Sequence, residues 1–346
     1  MPLPLNAVLP RALPIAAACA LLASCASLGS GDLPRLGAAR PGPLQHCEDL
    51  AARAALPGMA YGKVSAEPAG QVAVGTLRVA VPAHCLVQGK VDERVSPVDG
   101  ATYAIGFEMR LPVQWNGRFF YQANGGLDGA VVPAVGGIGG GAPVARAPGM
   151  GFAGIRSGAG HTGAQNPRFG LDPQARIDYG YNAVGRLTPL AKQVIERAYG
   201  RGPDRSYIGG CSNGGRHVMV AASRLPQAYD GFLAGDPGYN LPKAAIGEMY
   251  GVQQMAKVAT AKTDAGLPDV QSAFTPAEIQ GVARRVLERC DSLDGLADGI
   301  VSDVKACQAR FRLATDMPTC AAGSTGRDGR CLGAPQEDAL AAPFAA

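Results

Sequence analysis

The segment from Ser206 to Arg216 constrains the fold more than any other part of this sequence. It reads Ser-Tyr-Ile-Gly-Gly-Cys-Ser-Asn-Gly-Gly-Arg, in which a short apolar strand runs into Gly-x-Ser-x-Gly and then into a predicted helix over 217–225. Such a strand–serine–helix turn, a nucleophile elbow, is so tight that the flanking residues need almost no side chain, which Gly210 and Gly214 satisfy. The pattern predicts an α/β-hydrolase fold with Ser212 as an exposed nucleophile. The alternative interpretation is a glycine-rich turn with an idle serine.

The chemistry of the elbow needs an oxyanion donor and a general base. The backbone N–H of Asn213, at a predicted helix N-terminus, is expected to hold a developing oxyanion. Serine hydrolases of this fold place their catalytic residues in the chain order serine, acid, histidine. His217 is the only histidine after Ser212, and its helix runs away from the serine hydroxyl. The sequence therefore predicts a nucleophile with no obvious general base.

The N-terminal residues 1–25 are predicted to be an export signal. An apolar run from Leu13 to Leu22 is too short to span a bilayer and ends in Leu-Ala-Ser-Cys. Cys25 stands where a bacterial lipoprotein would carry its lipid anchor, and plain cleavage near Ala26 is the alternative. In either case we expect the mature protein in the periplasm, on the outer membrane as a lipoprotein, or secreted. Residues 26–43 are predicted to be a flexible lead-in.

Export predicts that the cysteines pair. Cys19 and Cys25 fall within the signal, which leaves seven. Pairing of neighbours along the chain predicts the disulfides Cys47–Cys85, Cys290–Cys307 and Cys320–Cys331, and it leaves Cys211 unpaired. A zinc site is disfavoured because the sequence has no Cys-x-x-Cys spacing and no histidines nearby.

Two regions of different character follow the lead-in. Residues 44–240 alternate between predicted strands (72–81, 102–111, 205–210, 231–234) and helices (47–57, 181–199), as in the catalytic domain of an α/β-hydrolase. Asn116-Gly117 predicts a hairpin turn that joins 109–111 to 118–121. Residues 241–346 carry predicted helices (241–262, 276–290) and acidic loops, which we interpret as part of an inserted lid domain. The net charge of +4, without a basic run longer than two residues, argues against a nucleic-acid partner.

The loop between Cys290 and Cys307 holds closely spaced carboxylates. Three carboxylates on one turn-rich loop repel each other unless a cation neutralises them, and oxygen ligands suit Ca²⁺. The predicted ligands are two backbone carbonyls and three side chains: Leu296, Ile300, Asp291, Asp294 and Asp298. The alternative is a solvated acidic turn closed by a disulfide.

Several ordered motifs resemble those of the tannase/feruloyl esterase family, which includes esterases that hydrolyse mono(2-hydroxyethyl) terephthalate. The resemblance runs from about residue 47 to the end of the sequence. The similar segments are Leu111-Pro112 with Trp115-Asn116-Gly117-Arg118-Phe119, Asn124-Gly125-Gly126 with Asp128-Gly129, Gly160-His161-Thr162-Gly163, Gly210 to Arg216, and the acidic loop.

This resemblance implies a serine carboxylic ester hydrolase that acts on small esters of aromatic acids through an acyl-enzyme. It implies that Ser212 is the nucleophile, that Asn213 and Gly126 (or Gly125) donate the oxyanion N–H groups, and that the acidic loop is a calcium site in the lid. It also implies a disulfide from Cys211 to a cysteine beside a catalytic histidine.

In the family that this chain resembles, the acid and the histidine of the catalytic triad follow the lid. This sequence ends at Ala346, within the expected lid, so we expect a truncated chain with impaired activity. Two alternatives stand beside this expectation. One is a non-catalytic, calcium-stabilised exported binding protein, and the other is a different serine hydrolase such as a polyester depolymerase or a peptidase.

Overall fold

The computed structural model describes residues 37–137, 147–321 and 327–344. The predicted export signal, Cys25 and the lead-in before residue 37 lie outside the described residues. The flexible lead-in predicted up to residue 43 extends too far, because Gly42–Pro43 pairs with Gln114–Trp115 and the Arg40 N–H donates to Asp204 at 2.8 Å. Within the described ranges, no helix is both long and apolar enough to cross a membrane.

The regular elements are eleven strands and nine α-helices within these ranges, numbered here in chain order. The strands are β1 (Gly42–Pro43), β2 (Met59–Glu67), β3 (Gly70–Val74), β4 (Leu77–Val81), β5 (His84–Val95), β6 (Thr102–Pro112), β7 (Gln114–Trp115), β8 (Arg118–Gln122), β9 (Ala153–Ser157), β10 (Arg205–Cys211) and β11 (Gly231–Gly235). The helices are α1 (Leu50–Arg53), α2 (Pro173–Ile177), α3 (Ala183–Tyr199), α4 (Asn213–Arg224), α5 (Leu241–Lys257), α6 (Pro276–Cys290), α7 (Val304–Arg310), α8 (Leu313–Asp316) and α9 (Ala334–Ala341).

A seven-stranded mixed sheet forms the centre of the first part of the chain. Its order is β11-β10-β8-β9-β6-β5-β2. The four strands from β11 to β9 run parallel, and β6, β5 and β2 add to β9 as antiparallel neighbours. Strands β8 and β10 lie side by side and end at the same edge, where binding sites of such sheets are found. This is the α/β architecture that the elbow predicts.

The predicted hairpin at Asn116-Gly117 is wrong. Strand β6 pairs with β5 and β9, while β8 pairs with β9 and β10, so the two strands are not neighbours. Gly117 turns at φ 81°, and the Asn116 side chain accepts a hydrogen bond from the Arg118 N–H at 2.9 Å. The local turn chemistry is present, but the turn carries the chain from the antiparallel strands into the parallel part of the sheet.

Helix α3 supplies much of the core beside this sheet. Its apolar stripe includes Leu187, Val194 and Ile195, all fully buried, and each such side chain contributes about 1.5–3 kcal/mol of burial free energy. At its C-terminal end Tyr199 stacks on Trp115, with ring centroids 4.4 Å apart. The helix begins after a π-helical turn (Asp178–Asn182), slightly later than the sequence pattern predicts.

The chain divides into two compact units between Pro237 and Gly238, close to the expected boundary at 240/241. In the first unit, β11 is an edge strand that pairs with β10 alone among the described strands, and its Leu233 is 54% exposed. In the second unit, α6 begins with a capping box, and the Glu278 carboxylate accepts a hydrogen bond from Arg327 at 2.7 Å.

Three disulfides are present, and they are the three pairs expected from the sequence: Cys47–Cys85, Cys290–Cys307 and Cys320–Cys331. Disulfides of this kind persist in oxidising compartments and are rare in the cytosol. They indicate that the protein is exported.

Candidate active site

Ser212 stands at the corner between β10 and α4. Its backbone has φ 59° and ψ −122°, a conformation that costs a non-glycine residue of order 1–3 kcal/mol and persists only where the surroundings enforce it. Its N–H donates to the Gly235 carbonyl at 3.0 Å, which ties the corner to β11. The Ser212 residue is exposed, so the strained turn presents the hydroxyl rather than burying it.

Backbone crowding explains why glycines flank this serine. A Cβ on Gly210 would lie 2.6 Å from the carbonyl carbon of Gly214, and a Cβ on Gly214 would lie 2.8 Å from the carbonyl oxygen of Ala123. Real Cβ atoms do not approach other atoms so closely. The elbow can therefore form only with glycine at these two positions, because its backbone packs directly against itself and against the residue that follows β8.

The loop after β8, residues 124–129 and here called the glycine loop, lies beside the elbow. A Cβ on Gly125 would contact the Cys211 carbonyl oxygen at 3.8 Å, whereas Gly126, at φ +62°, faces open space. Asn213 is the first residue of α4, and N–H groups of a first helical turn have no acceptor within the helix. The structure thus brings together the predicted nucleophile and the two segments predicted to donate to an oxyanion.

None of the four histidines forms a hydrogen bond with Ser212 within the described part of the chain. His217 is buried, and its Nε2 lies 2.9 Å from the Asp128 carboxylate and 3.1 Å from Arg216 Nη2, so this nitrogen has partners other than Ser212. The other three have partners elsewhere: His46 with Asp49, His84 with Arg110 and the Pro82 carbonyl, and His161 with the Leu127 carbonyl and Asn166.

Asp128 lies in a motif named in the sequence analysis, but sequence reasoning gave it no role. Its side chain is only 2% exposed, and it accepts hydrogen bonds from both Asn213 and His217. These partners lie 85 and 89 residues away along the chain, a separation at which no local pattern reveals a contact. The aspartate-glycine pair after Asn-Gly-Gly was the only available signal.

Arg156, near the carboxyl end of β9, supports the start of the glycine loop. Its Nε donates to the Asn124 side-chain oxygen. Burial lowers the pKa of Arg156 to about 10, and the negative charge of Asp128 opposes that shift. The guanidinium remains charged at neutral pH and adds positive potential behind the loop.

Cys211 directly precedes the predicted nucleophile and is half-buried. It is the single cysteine outside a disulfide in the part of the chain that the structure describes.

The acidic loop folds back on itself through its carboxylates. Asp291 accepts the Gly299 N–H at 2.9 Å, and Asp294 accepts the N–H groups of Ser302 at 2.9 Å and Leu296 at 3.0 Å. The bonds from Ser302 and Leu296 lower the pKa of Asp294. Asp298 accepts the Ile300 N–H at 3.0 Å.

Across the described ranges, no three or more His, Cys, Asp or Glu side chains are grouped as a metal site. The donor set of the acidic loop is nevertheless all oxygen, as Ca²⁺ prefers. An ionised carboxylate has about four acceptor positions, so one or two N–H bonds leave capacity for a cation.

Comparison with known proteins matches residues 85–345 to the family model described as tannase and feruloyl esterase. Over 269 residues the chain is 42% identical to a mono(2-hydroxyethyl) terephthalate hydrolase from Piscinibacter sakaiensis, covering 75% of this chain and 44% of that protein. Over 222 residues it is 32% identical to a probable feruloyl esterase B-1 from Aspergillus fumigatus, covering 62% of this chain and 39% of that protein. The chain therefore spans less than half the length of these two relatives.

Two solved structures also align with this chain. The crystal structure of feruloyl esterase B from Aspergillus oryzae aligns with a TM-score of 0.66 at 25% identity, over 86% of this chain and 55% of that one. Tannin acyl hydrolase from Aspergillus niger aligns with a TM-score of 0.57 at 19% identity, over 85% of this chain and 54% of that one. At that identity the second likeness shows the fold alone.

Proposed function

This chain belongs to the tannase and feruloyl esterase family, and on that premise we propose that it is a serine carboxylic ester hydrolase for esters of aromatic acids. The observation that carries the proposal is the elbow: an exposed serine at φ 59° and ψ −122°, between backbone segments that only glycine permits. The relatives named above as hydrolases of terephthalate and feruloyl esters support an aromatic acyl group.

In the proposed mechanism, Ser212 Oγ attacks the ester carbonyl and the alcohol leaves, so that the acyl group is bound to the serine. The N–H groups of Asn213 and of Gly126 (or Gly125) stabilise the tetrahedral oxyanion. Removing one such donor typically slows a serine hydrolase by about 10²–10³-fold. A general base takes the proton from Ser212 Oγ and later activates water, and the family resemblance assigns this role to a histidine.

Trapping of the acyl-enzyme tests this proposal directly. p-Nitrophenolate is a good leaving group, so p-nitrophenyl ferulate should acylate the serine faster than water removes the feruloyl group, and the acyl-enzyme should accumulate. Trypsin releases residues 206–216 as one peptide, because Arg205 and Arg216 bound it. We expect the feruloyl mass on Ser212 in the wild type and in the matched control Cys211→Ser, and none in Ser212→Ala. An acyl group on Cys211 alone, or none on this peptide, would overturn the proposal.

A second candidate is a non-catalytic binding protein, and one observation favours it. All four histidines have partners other than Ser212, as described above. The same trapping experiment separates the candidates, since a binding protein would leave Ser212 unmodified.

We also propose that the acidic loop binds Ca²⁺ through the side chains of Asp291, Asp294 and Asp298 and the carbonyls of Leu296 and Ile300. Its support is the all-oxygen donor set in a loop closed by the Cys290–Cys307 disulfide. The ion would stabilise the loop and would take no part in ester cleavage.

A further inference from the structure

A buried carboxylate of the glycine loop, that of Asp128, contacts the nucleophile helix α4 at two points. Asp128 Oδ2 accepts a hydrogen bond from Asn213 Nδ2 at 2.7 Å and lies 2.9 Å from His217 Nε2. The Asp128 side chain is 2% exposed and the His217 side chain is 4% exposed. Because the carboxylate accepts from both partners, its negative charge is compensated inside the protein rather than by water.

The Asn213 side chain has every hydrogen-bonding position filled. Its Nδ2 donates to Asp128 and to the Asn124 carbonyl at 3.3 Å. Its Oδ1 accepts from Tyr179 at 3.0 Å and from Arg216 at 2.7 Å. Two donors and two acceptors exhaust what an amide side chain offers, so its orientation is fixed. The backbone N–H of this same residue is the proposed oxyanion donor.

The backbone at Asp128 has a conformation that aspartate tolerates better than most residues. Its φ is +58°, a left-handed conformation that glycine adopts freely and that most other residues avoid. Neighbouring contacts hold it there: the Asn166 side chain donates to the Asp128 carbonyl at 3.2 Å, and His161 donates to the Leu127 carbonyl at 2.9 Å. A glycine would fit this backbone without strain but could not hold Asn213 and His217.

We propose that Asp128 is a positioning residue that sets the separation between the two oxyanion donors, the N–H of Asn213 on α4 and the N–H of Gly126 (or Gly125) on the glycine loop. One carboxylate oxygen bonds α4 at two points, Asn213 and His217, one helical turn apart. The inference rests on the proposed function, because it assumes that these N–H groups receive an oxyanion. His217 then supports the geometry of the site and does not act as its base.

Asp128→Asn is the sharpest variant. Asparagine tolerates positive φ, so the backbone is preserved and its amide oxygen can take the place of Oδ2, but the negative charge that strengthens both hydrogen bonds is lost. Replacing hydrogen bonds to a charged group by neutral ones should raise amide hydrogen exchange in the glycine loop about tenfold, read by mass spectrometry on peptides that cover 119–131. Peptides from β5 and β6 should exchange as in the wild type.

The kinetics of Ser212 acylation measure the effect of Asp128→Asn on the proposed function. In Asp128→Asn the maximal rate of acylation by p-nitrophenyl ferulate should fall about 10–100-fold, less than or similar to the loss of an oxyanion donor. The ester concentration that gives half-maximal rate should change less than twofold, because ground-state binding does not use the oxyanion donors. A residue with only a structural role would not separate these two quantities.

A matched pair at His217 completes the test. Glutamine can donate to Asp128 in place of the imidazole, whereas leucine cannot, so His217→Gln should resemble the wild type and His217→Leu should resemble Asp128→Asn. The role of Asp128 is overturned if loop exchange in Asp128→Asn stays within twofold of the wild type, or if exchange rises equally throughout the sheet. A wild type that is never acylated at Ser212 overturns the proposed function instead, and the exchange result still decides whether Asp128 holds the loop.

Discussion

The imidazole of His161 lies face to face on the ring of Phe169, with ring centroids 3.8 Å apart. Its Nε2 donates toward the Leu127 carbonyl and the Asn166 side chain, whereas its Nδ1 is buried without a hydrogen-bond partner. Burial lowers the pKa of His161, because a charged imidazolium would lose water there. The Gly-His-Thr-Gly motif thus holds the glycine loop with a neutral histidine.

A pH dependence of stability follows from this environment. Below about pH 6.5 the unfolded chain takes up a proton at this histidine while the folded protein resists it. Stability should therefore fall as pH drops through 6.5 toward the lowered pKa of the folded state, and be unaffected by His161 above that range. His84, whose pKa burial also lowers, adds to the trend. In His161→Gln the decline in urea stability between about pH 7.5 and 5 should be shallower than in the wild type. Equal slopes would contradict the assignment of a neutral, buried His161.

The packing of the elbow predicts that one added methyl group at Gly210 lowers the free energy of unfolding. Gly210→Ala would place a Cβ within 2.6 to 2.8 Å of the Gly214 backbone, and such overpacking costs about 1–3 kcal/mol. The matched control is Gly185→Ala in α3, where nothing lies within 4 Å of the new Cβ and the helix should gain about 0.5–1 kcal/mol. Denaturant unfolding measures both. If both variants shift in the same direction by similar amounts, the described packing of the elbow is wrong.

The thiol count tests the cysteine assignment. In protein that begins at Ala26, unfolded without reductant, titration should find about one thiol per chain, and Cys211→Ser should remove it. A monomer with no thiol, or a chain with two or more, would be incompatible with three disulfides and a free Cys211. A disulfide-linked dimer without thiol would place Cys211 in an intermolecular bond.

Calcium should stabilise the acidic loop if the proposal for this loop holds. A ligand that binds only the folded state at a hundredfold excess over Kd adds about 2.7 kcal/mol, so Tm in Ca²⁺ should exceed Tm in chelator. Asp294→Asn and Asp298→Asn should abolish that difference. Asp264→Asn, a change at an exposed acid outside the loop, should keep it. An identical wild-type Tm in both conditions would favour the solvated acidic turn.

Features formed by residues that are close together in the sequence are predicted correctly. The elbow can be recognised because Gly210, Ser212 and Gly214 lie within five consecutive residues, and α3 can be recognised because its buried residues repeat at helical spacing. The disulfides follow from pairing each cysteine with its neighbour. The prediction of a turn at Asn116-Gly117 is confirmed. The predicted hairpin is wrong, because contacts across the whole sheet, and not the turn, determine which strands pair.

The contacts that organise the site escape such reasoning. Asp128 and His217 meet across 89 residues, and the motif that contains Asp128 gives no indication of this partner. From the direction of the helix we expect that His217 does not contact the Ser212 hydroxyl, and this is confirmed. Only the folded chain shows that its partner is Asp128. The positive φ of Asp128 is likewise invisible in sequence, since aspartate before glycine is common in ordinary turns.

The edge strand β11 has a consequence for handling the protein. Its outer row of backbone N–H and C=O groups is unpaired among the described residues, and its Phe232 and Leu233 side chains are substantially exposed. An apolar, uncharged edge of this kind is a template on which a second chain can add a strand. A further strand, of this protein or of a second chain, can pair at this edge, and Leu233→Lys should disfavour pairing with a second chain without altering the elbow, because charged side chains are how natural sheets protect such edges.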